Sequence, residues 1–117
     1  LEKIRLDTGI TEVDGLQVLQ LAGEIDVYTA PQFREAVNAI LNTGQKHLII
    51  EMSQVSYMDS SGFGTLLSAT KRLRPSGGAV TLVNVNRAIE RILRITRLDT
   101  IFQTYDNVEA AVASAKT

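Results

Sequence analysis

Val55-Ser56-Tyr57-Met58-Asp59-Ser60-Ser61-Gly62-Phe63-Gly64 decides the fold, because a buried apolar run ends just before it and a helical stripe begins within it. It reads as a strand-to-helix turn. Upstream, Leu48-Ile49-Ile50-Glu51-Met52 is short, mostly apolar and rich in branched residues, the pattern of an inner parallel strand with helices nearby. Downstream, Phe63, Leu66, Leu67, Thr70 and Leu73 fall on one helical stripe, which Pro75-Ser76-Gly77-Gly78 terminates. Ser60 or Ser61 is the expected N-cap, since a short side-chain oxygen accepts a hydrogen bond from a free N–H of the first turn. Gly62 and Gly64 put almost no side chain around that turn, which leaves its backbone and hydroxyls open to a large partner.

Working outward, Ile4-Arg5-Leu6 and Ile10 to Val13 alternate apolar with polar residues, and Asp14-Gly15 suits a tight hairpin. The returning strand, Leu16 to Leu21, is apolar on both faces and belongs further inside the sheet; Ala22-Gly23 is expected to end it. Glu24 and Asp26 then fall in a loop leading to Thr29-Ala30-Pro31-Gln32, which reads as a capping box with proline in the first turn. Phe33, Val37, Ile40 and Leu41 form the stripe of the helix that follows, and Gly44 stops it. Beyond the central turn, Ala79 to Val83 is a further buried strand. Asn84 and Asn86 are alternative caps for a helix with Val85, Ala88, Ile89, Ile92 and Leu93 inward and Arg87, Arg91 and Arg94 outward. Thr100 to Thr104 is a candidate last strand, and Val108 to Ala115 a closing helix with Val108, Ala111 and Val112 inward. The alternation implies an α/β fold: a mostly parallel sheet, an antiparallel N-terminal hairpin strand, and about four packed helices near residues 30–43, 61–74, 86–95 and 107–115.

The 117 residues suffice for one domain, 1–117, burying roughly 65% of its unfolded surface. With 12 basic against 13 acidic residues, the net charge of -1 supplies no whole-molecule field for nucleic acid or anionic lipid. No cysteine is present, so neither a disulfide frame nor a thiolate metal site is available, and nothing speaks against a reducing, cytoplasmic setting. No apolar run approaches the ~20 residues of a membrane span, and no signal peptide is visible. Because the chain opens at Leu1 rather than methionine, the signal-peptide argument carries less weight.

Several chemistries can be weighed on the residues alone. A serine hydrolase needs a base beside its nucleophile, yet the only histidine, His47, precedes the strand that leads to Ser60. At ~3.3 Å per residue it belongs at the far edge of the sheet. The G-x-S-x-G elbow is also missing. Glu24, Asp26 and Asp59 could share one rim and hold a metal beside a phosphoaccepting Asp59, as in a receiver domain. That reading needs a lysine at the end of a later strand, and neither Ala79 to Val83 nor Thr100 to Thr104 ends in one. Gly62-x-Gly64 is too short for a nucleotide phosphate loop. The serine turn suits a substrate better than a catalyst: an exposed hydroxyl at a helix start is open to a kinase, and the phosphate formed would face the positive helix end. On spacing alone the plainer reading, that Ser60 and Ser61 only cap the helix, is the favoured one.

Two segments carry a resemblance. Met58-Asp59-Ser60-Ser61-Gly62-Phe63-Gly64 resembles the D-S-[ST]-G-[LF]-G segment of STAS domains, specifically bacterial anti-sigma factor antagonists. Gly23-Glu24-Ile25-Asp26 with Thr29 and Ala30 resembles the G-E-[LI]-D-x-x-T-A stretch before that family's first helix, and the similarity continues through Gly77-Gly78 to Arg91-Ile92-Leu93. The resemblance implies a single STAS-type domain that is not an enzyme and needs no cofactor or metal of its own. It implies a partner-switching signal-transduction protein in transcription regulation. The unphosphorylated form would bind an anti-sigma factor serine kinase and free its sigma factor. Phosphorylation of Ser60, with Ser61 as the fallback, would release the complex, and a metal-dependent serine phosphatase would reset it. Asp26, Asp59, Ser61, Gly62, Phe63 and Gly64 are the implied partner contacts. A non-phosphorylated scaffold subunit of a signalling or lipid-transport complex is the alternative.

Overall fold

Asp14 and Gly15 adopt φ values of 51° and 83°, the two positive angles that close a two-residue hairpin. Leu6–Val13 (β1) therefore folds back antiparallel on Leu16–Ile25 (β2), with Val13 opposite Leu16. The computed structural model describes residues 5–117, so Ile4, expected in the first strand, lies outside the described residues. Leu48–Met58 (β3), Val80–Val83 (β4) and Gln103–Tyr105 (β5) add in parallel, giving the sheet order β1-β2-β3-β4-β5. Ala30–Leu41 (α1), Ser60–Leu73 (α2) and Arg87–Ile95 (α3) connect the parallel strands, and Val108–Ala115 (α4) follows β5. This is the α/β architecture that periodicity alone implies.

Alternation along each strand divides the interior into two cores. Leu19, Leu21, Leu48, Ile50, Met52 and Leu82 face Phe33, Ile40, Leu66, Ile89 and Leu93 of α1, α2 and α3. Val18, Ile49 and Val83 point the other way and pack on Ala111 and Val112 of α4. Each buried Val, Leu, Ile, Phe or Met side chain contributes roughly 1.5–3 kcal/mol by leaving water, so the larger core, under α1 to α3, anchors the rim where the central turn lies.

Four expectations need correction. β2 does not end at Ala22-Gly23 but runs to Ile25, because Gly23 takes φ 120° at a register shift against β3. A Cβ there would stand 2.1 Å from the Arg5 carbonyl oxygen, so this glycine accommodates a bulge rather than a strand end. Likewise β3 continues through Val55–Met58, residues first read as part of the turn. In α3 only Ile89 and Leu93 are fully buried; Val85, ahead of the helix, is partly buried, and Ala88 and Ile92 are exposed. The last strand starts later than expected, at Gln103, after a short 3-10 turn over Leu98–Thr100.

Candidate functional site

β2 and β3 end side by side: Ile25 lies opposite Met58, and the Asp59 N–H donates to the Ile25 carbonyl at 3.0 Å. Two strand-to-helix turns, one starting with Asp26 and the other with Asp59, therefore share one rim.

In the second turn Asp59, not a serine, is the N-cap of α2. Its Oδ1 accepts from the Ser61 N–H at 2.9 Å and also from the Ser61 hydroxyl. The Ser61 side-chain bond is the main reason the Asp59 carboxyl is held below its ordinary pKa; burial opposes it, and the N–H groups of Ser61, Gly62 and Val27 add to the lowering. Ser61 is thus committed to the cap. Ser60 occupies the first helical position, is exposed, and among the described residues its hydroxyl has no hydrogen-bond partner. Asp, Ser and Ser are all good caps, so the sequence could not say where the extended backbone ends; here Asp59 remains extended, with φ -99° and ψ -171°.

The two glycines differ. Gly64 is exposed with open space around it, as a contact surface requires. Gly62 is buried, and a Cβ there would lie 2.4 Å from Met58 Cγ and 2.9 Å from Ile25 Cγ2, so it permits helix-to-strand packing rather than partner approach. Phe63 is 7% exposed and belongs to the larger core. Its exposed edge, with Tyr57, Ser60, Leu67, Ile92 and Leu98, lines an open, mainly apolar groove of about 490 Å³ between α2 and α3.

In the first turn, Asp26 Oδ1 accepts from the N–H groups of Tyr28 (2.9 Å) and Thr29 (3.0 Å), while Oδ2 meets Arg5 at 3.4 Å. The expected capping box is not formed. Thr29 Oγ1 instead donates to the Glu24 carbonyl and accepts from the Asp26 N–H, both at 2.9 Å, and the Gln32 amide reaches the Leu6 carbonyl at 3.0 Å. This ties Asp26 to the shape of its own turn. Glu24, first read as a loop residue, is an exposed member of β2. Among the described residues no three His, Cys, Asp or Glu side chains are grouped to hold a metal ion, so the convergence considered for Glu24, Asp26 and Asp59 is not seen. His47 stands before the start of β3, at the opposite end of that strand from Ser60. Among the described residues no helix is long and apolar enough to cross a membrane.

Sequence reasoning missed the exposed apolar side chains around the serine. Val27 and Tyr28, 65% and 79% exposed, belong to the neighbouring turn, and Tyr57, Leu67 and Ile92 surround the groove. An apolar pair inside an otherwise polar turn, Val27-Tyr28, was the available signal.

Comparison with known proteins identifies the family to which this fold belongs. The family model of the STAS domain matches residues 8–111. The anti-sigma F factor antagonist of Paenibacillus polymyxa is 30% identical over 94 residues, covering 80% of each chain. The anti-sigma-B factor antagonist of Staphylococcus aureus is 27% identical over 106 residues, 91% of this chain and 98% of that one. The crystal structure of an anti-sigma factor antagonist from Mycobacterium paratuberculosis superposes with a TM-score of 0.86 at 28% identity, covering 96% of this chain and 95% of its own. With the family model spanning most of the sequence and relatives aligned along most of their length, the chain belongs to the STAS domain family, in its group of bacterial anti-sigma factor antagonists.

Proposed function

We propose that this protein is a phosphorylation-controlled antagonist that binds an anti-sigma factor with serine kinase activity in the cytoplasm and so frees the sigma factor. Ser60 is the phosphoacceptor. A metal-dependent phosphatase restores the hydroxyl, and ATP and metal belong to these partners rather than to this chain. The observation that carries the reading is the Ser60 hydroxyl, exposed and without a hydrogen-bond partner among the described residues, at the first position of α2 and beside an apolar groove. Ser61 is the less suitable acceptor because its hydroxyl is bound to Asp59. Asp59, Ser61 and Gly62 act in this reading by fixing the turn; Asp26, Phe63 and Gly64 border the contact surface.

Phosphorylation acts by blocking the interface, not by refolding the protein. It adds about -1.5 to -2 charge at neutral pH. Asp59 repels that charge, whereas the start of α2 attracts it by roughly 0.3–1 kcal/mol. In the free protein these oppose one another and little moves. Against a partner surface shaped for a neutral hydroxyl, a desolvated unpaired phosphate costs several kcal/mol, on the order of a hundredfold or more in affinity.

Incubation with ATP and each candidate anti-sigma kinase, followed by mass spectrometry, tests the assignment. Phosphate on Ser60, lost in Ser60→Ala while binding persists, is the expected result. Incorporation on Ser61 would move the acceptor, and binding without any incorporation would favour a scaffold role.

A further inference from the structure

The outer side of α3 is not spent on the core. Going round the helix at 100° per residue, the buried pair Ile89 and Leu93 gives way to Ile92 at the groove, then to Ala88 and Ile95, and then to Arg91, Arg87 and Arg94. Ile95 is 72% exposed and Ile92 37% exposed. The arginines line a shallow concavity with Ala88 and Glu90, and Glu90 lies 3.9 Å from Arg94. The groove beside Ser60, lined by Phe63, Leu67 and Ile92, and the concavity lined by the guanidinium groups thus occupy neighbouring sides of one helix, with exposed Ile95 between them by helical position.

We propose that the α2–α3 groove and the arginine row of α3 form one docking surface for an acidic amphipathic helix of the protein partner. The proposal rests on the partner-binding reading above and assigns the chemistry of what is bound. The apolar part is concave, so it accepts side chains from a helix ridge. The adjoining cations match carboxylates flanking that ridge, since guanidinium groups pair with carboxylates in a forked, directional way. An anionic membrane fits less well: an interfacial helix offers a convex apolar face, whereas this one borders a cleft, and the whole chain carries a net charge of -1.

The test uses isotope-labelled protein in nuclear magnetic resonance titrations with three probes. These are a designed helical peptide with a leucine ridge flanked by glutamates, the same peptide with lysines replacing the glutamates, and vesicles containing phosphatidylglycerol. The glutamate peptide should shift the amides of Leu67, Arg91, Ile92, Arg94 and Ile95. It should bind about tenfold or more tightly than the lysine peptide, with the difference shrinking as salt is raised. Arg91→Glu with Arg94→Glu, both on the exposed side, should reverse the preference while leaving the melting temperature within a few degrees. Equal binding of both peptides, no shifts on α3, or stronger attachment to vesicles would overturn the proposal. Kinase incubation reads Ser60 separately, so phosphate on Ser60 together with no peptide preference would discard the docking surface and keep the switch.

Discussion

The two turns at the rim begin alike and end differently. Each starts with an aspartate whose Oδ1 accepts from backbone N–H, two groups at Asp26 and that of Ser61 at Asp59, and each carries a hydroxyl residue at or near the start of a helix. Thr29 is 6% exposed, and its Oγ1 joins the Glu24 carbonyl to the Asp26 N–H. Ser60 is exposed and, among the described residues, joins nothing. Within the second turn the neighbouring Ser61 carries the local hydrogen bonding, which leaves Ser60 without a structural duty. Similar residue types thus give one turn whose hydroxyl holds the fold and one whose hydroxyl, among the described residues, holds nothing.

Substitutions can break that contrast, and the largest effect is expected where the second turn meets the core. Gly62→Val would drive branched carbons into Met58 and Ile25; overpacking of this kind costs about 3 kcal/mol, read as a lower midpoint in urea unfolding. Thr29→Val keeps the shape but leaves the Asp26 N–H and Glu24 carbonyl short of partners. A loss of about 2 kcal/mol is expected by the same measurement, and an unchanged midpoint would mean that the first turn is no more dependent on its hydroxyl than the second.

A smaller and pH-dependent effect is expected at Asp59. Its carboxyl is held below the ordinary value chiefly by the Ser61 hydroxyl, so its contribution is present above the unfolded-state pKa and fades as pH falls through the lower folded-state value. Wild type should melt above Asp59→Asn at neutral pH, and the gap should close in acid below the ordinary value of 3.8. A gap that stays constant to strongly acidic pH would assign the difference to shape rather than charge. Ser60→Ala should do least to stability, within about 0.5 kcal/mol, because no bond is lost.

Much of this arrangement was legible in the sequence where one periodicity dominates. Asp14-Gly15 between alternating runs gave the hairpin, and the change from Leu48–Met52 to the stripe of Phe63, Leu66, Thr70 and Leu73 gave the β3–α2 unit. Boundaries failed where a residue type serves two purposes. Gly23 reads as a strand end but fills a bulge against Arg5, and Thr29 reads as a cap but is taken up by β2. In α3, apolar residues at 88, 89, 92, 93 and 95 extend over more of the helix than the sheet covers, so the pattern could not separate buried Leu93 from exposed Ile92. The motif points to Ser60 and its neighbours as a candidate site, whereas the groove leaves no mark in the sequence, because a cleft depends on how α2 and α3 lie against each other.

In the proposed function, phosphorylation of Ser60 changes binding and not folding. The direct measurement is to titrate the partner kinase against unmodified and Ser60-phosphorylated protein, with melting recorded on both samples. A loss of affinity of about a hundredfold or more is expected, with melting temperatures within a few degrees. Equal affinity of the two forms, or a melting shift of many degrees, would contradict it.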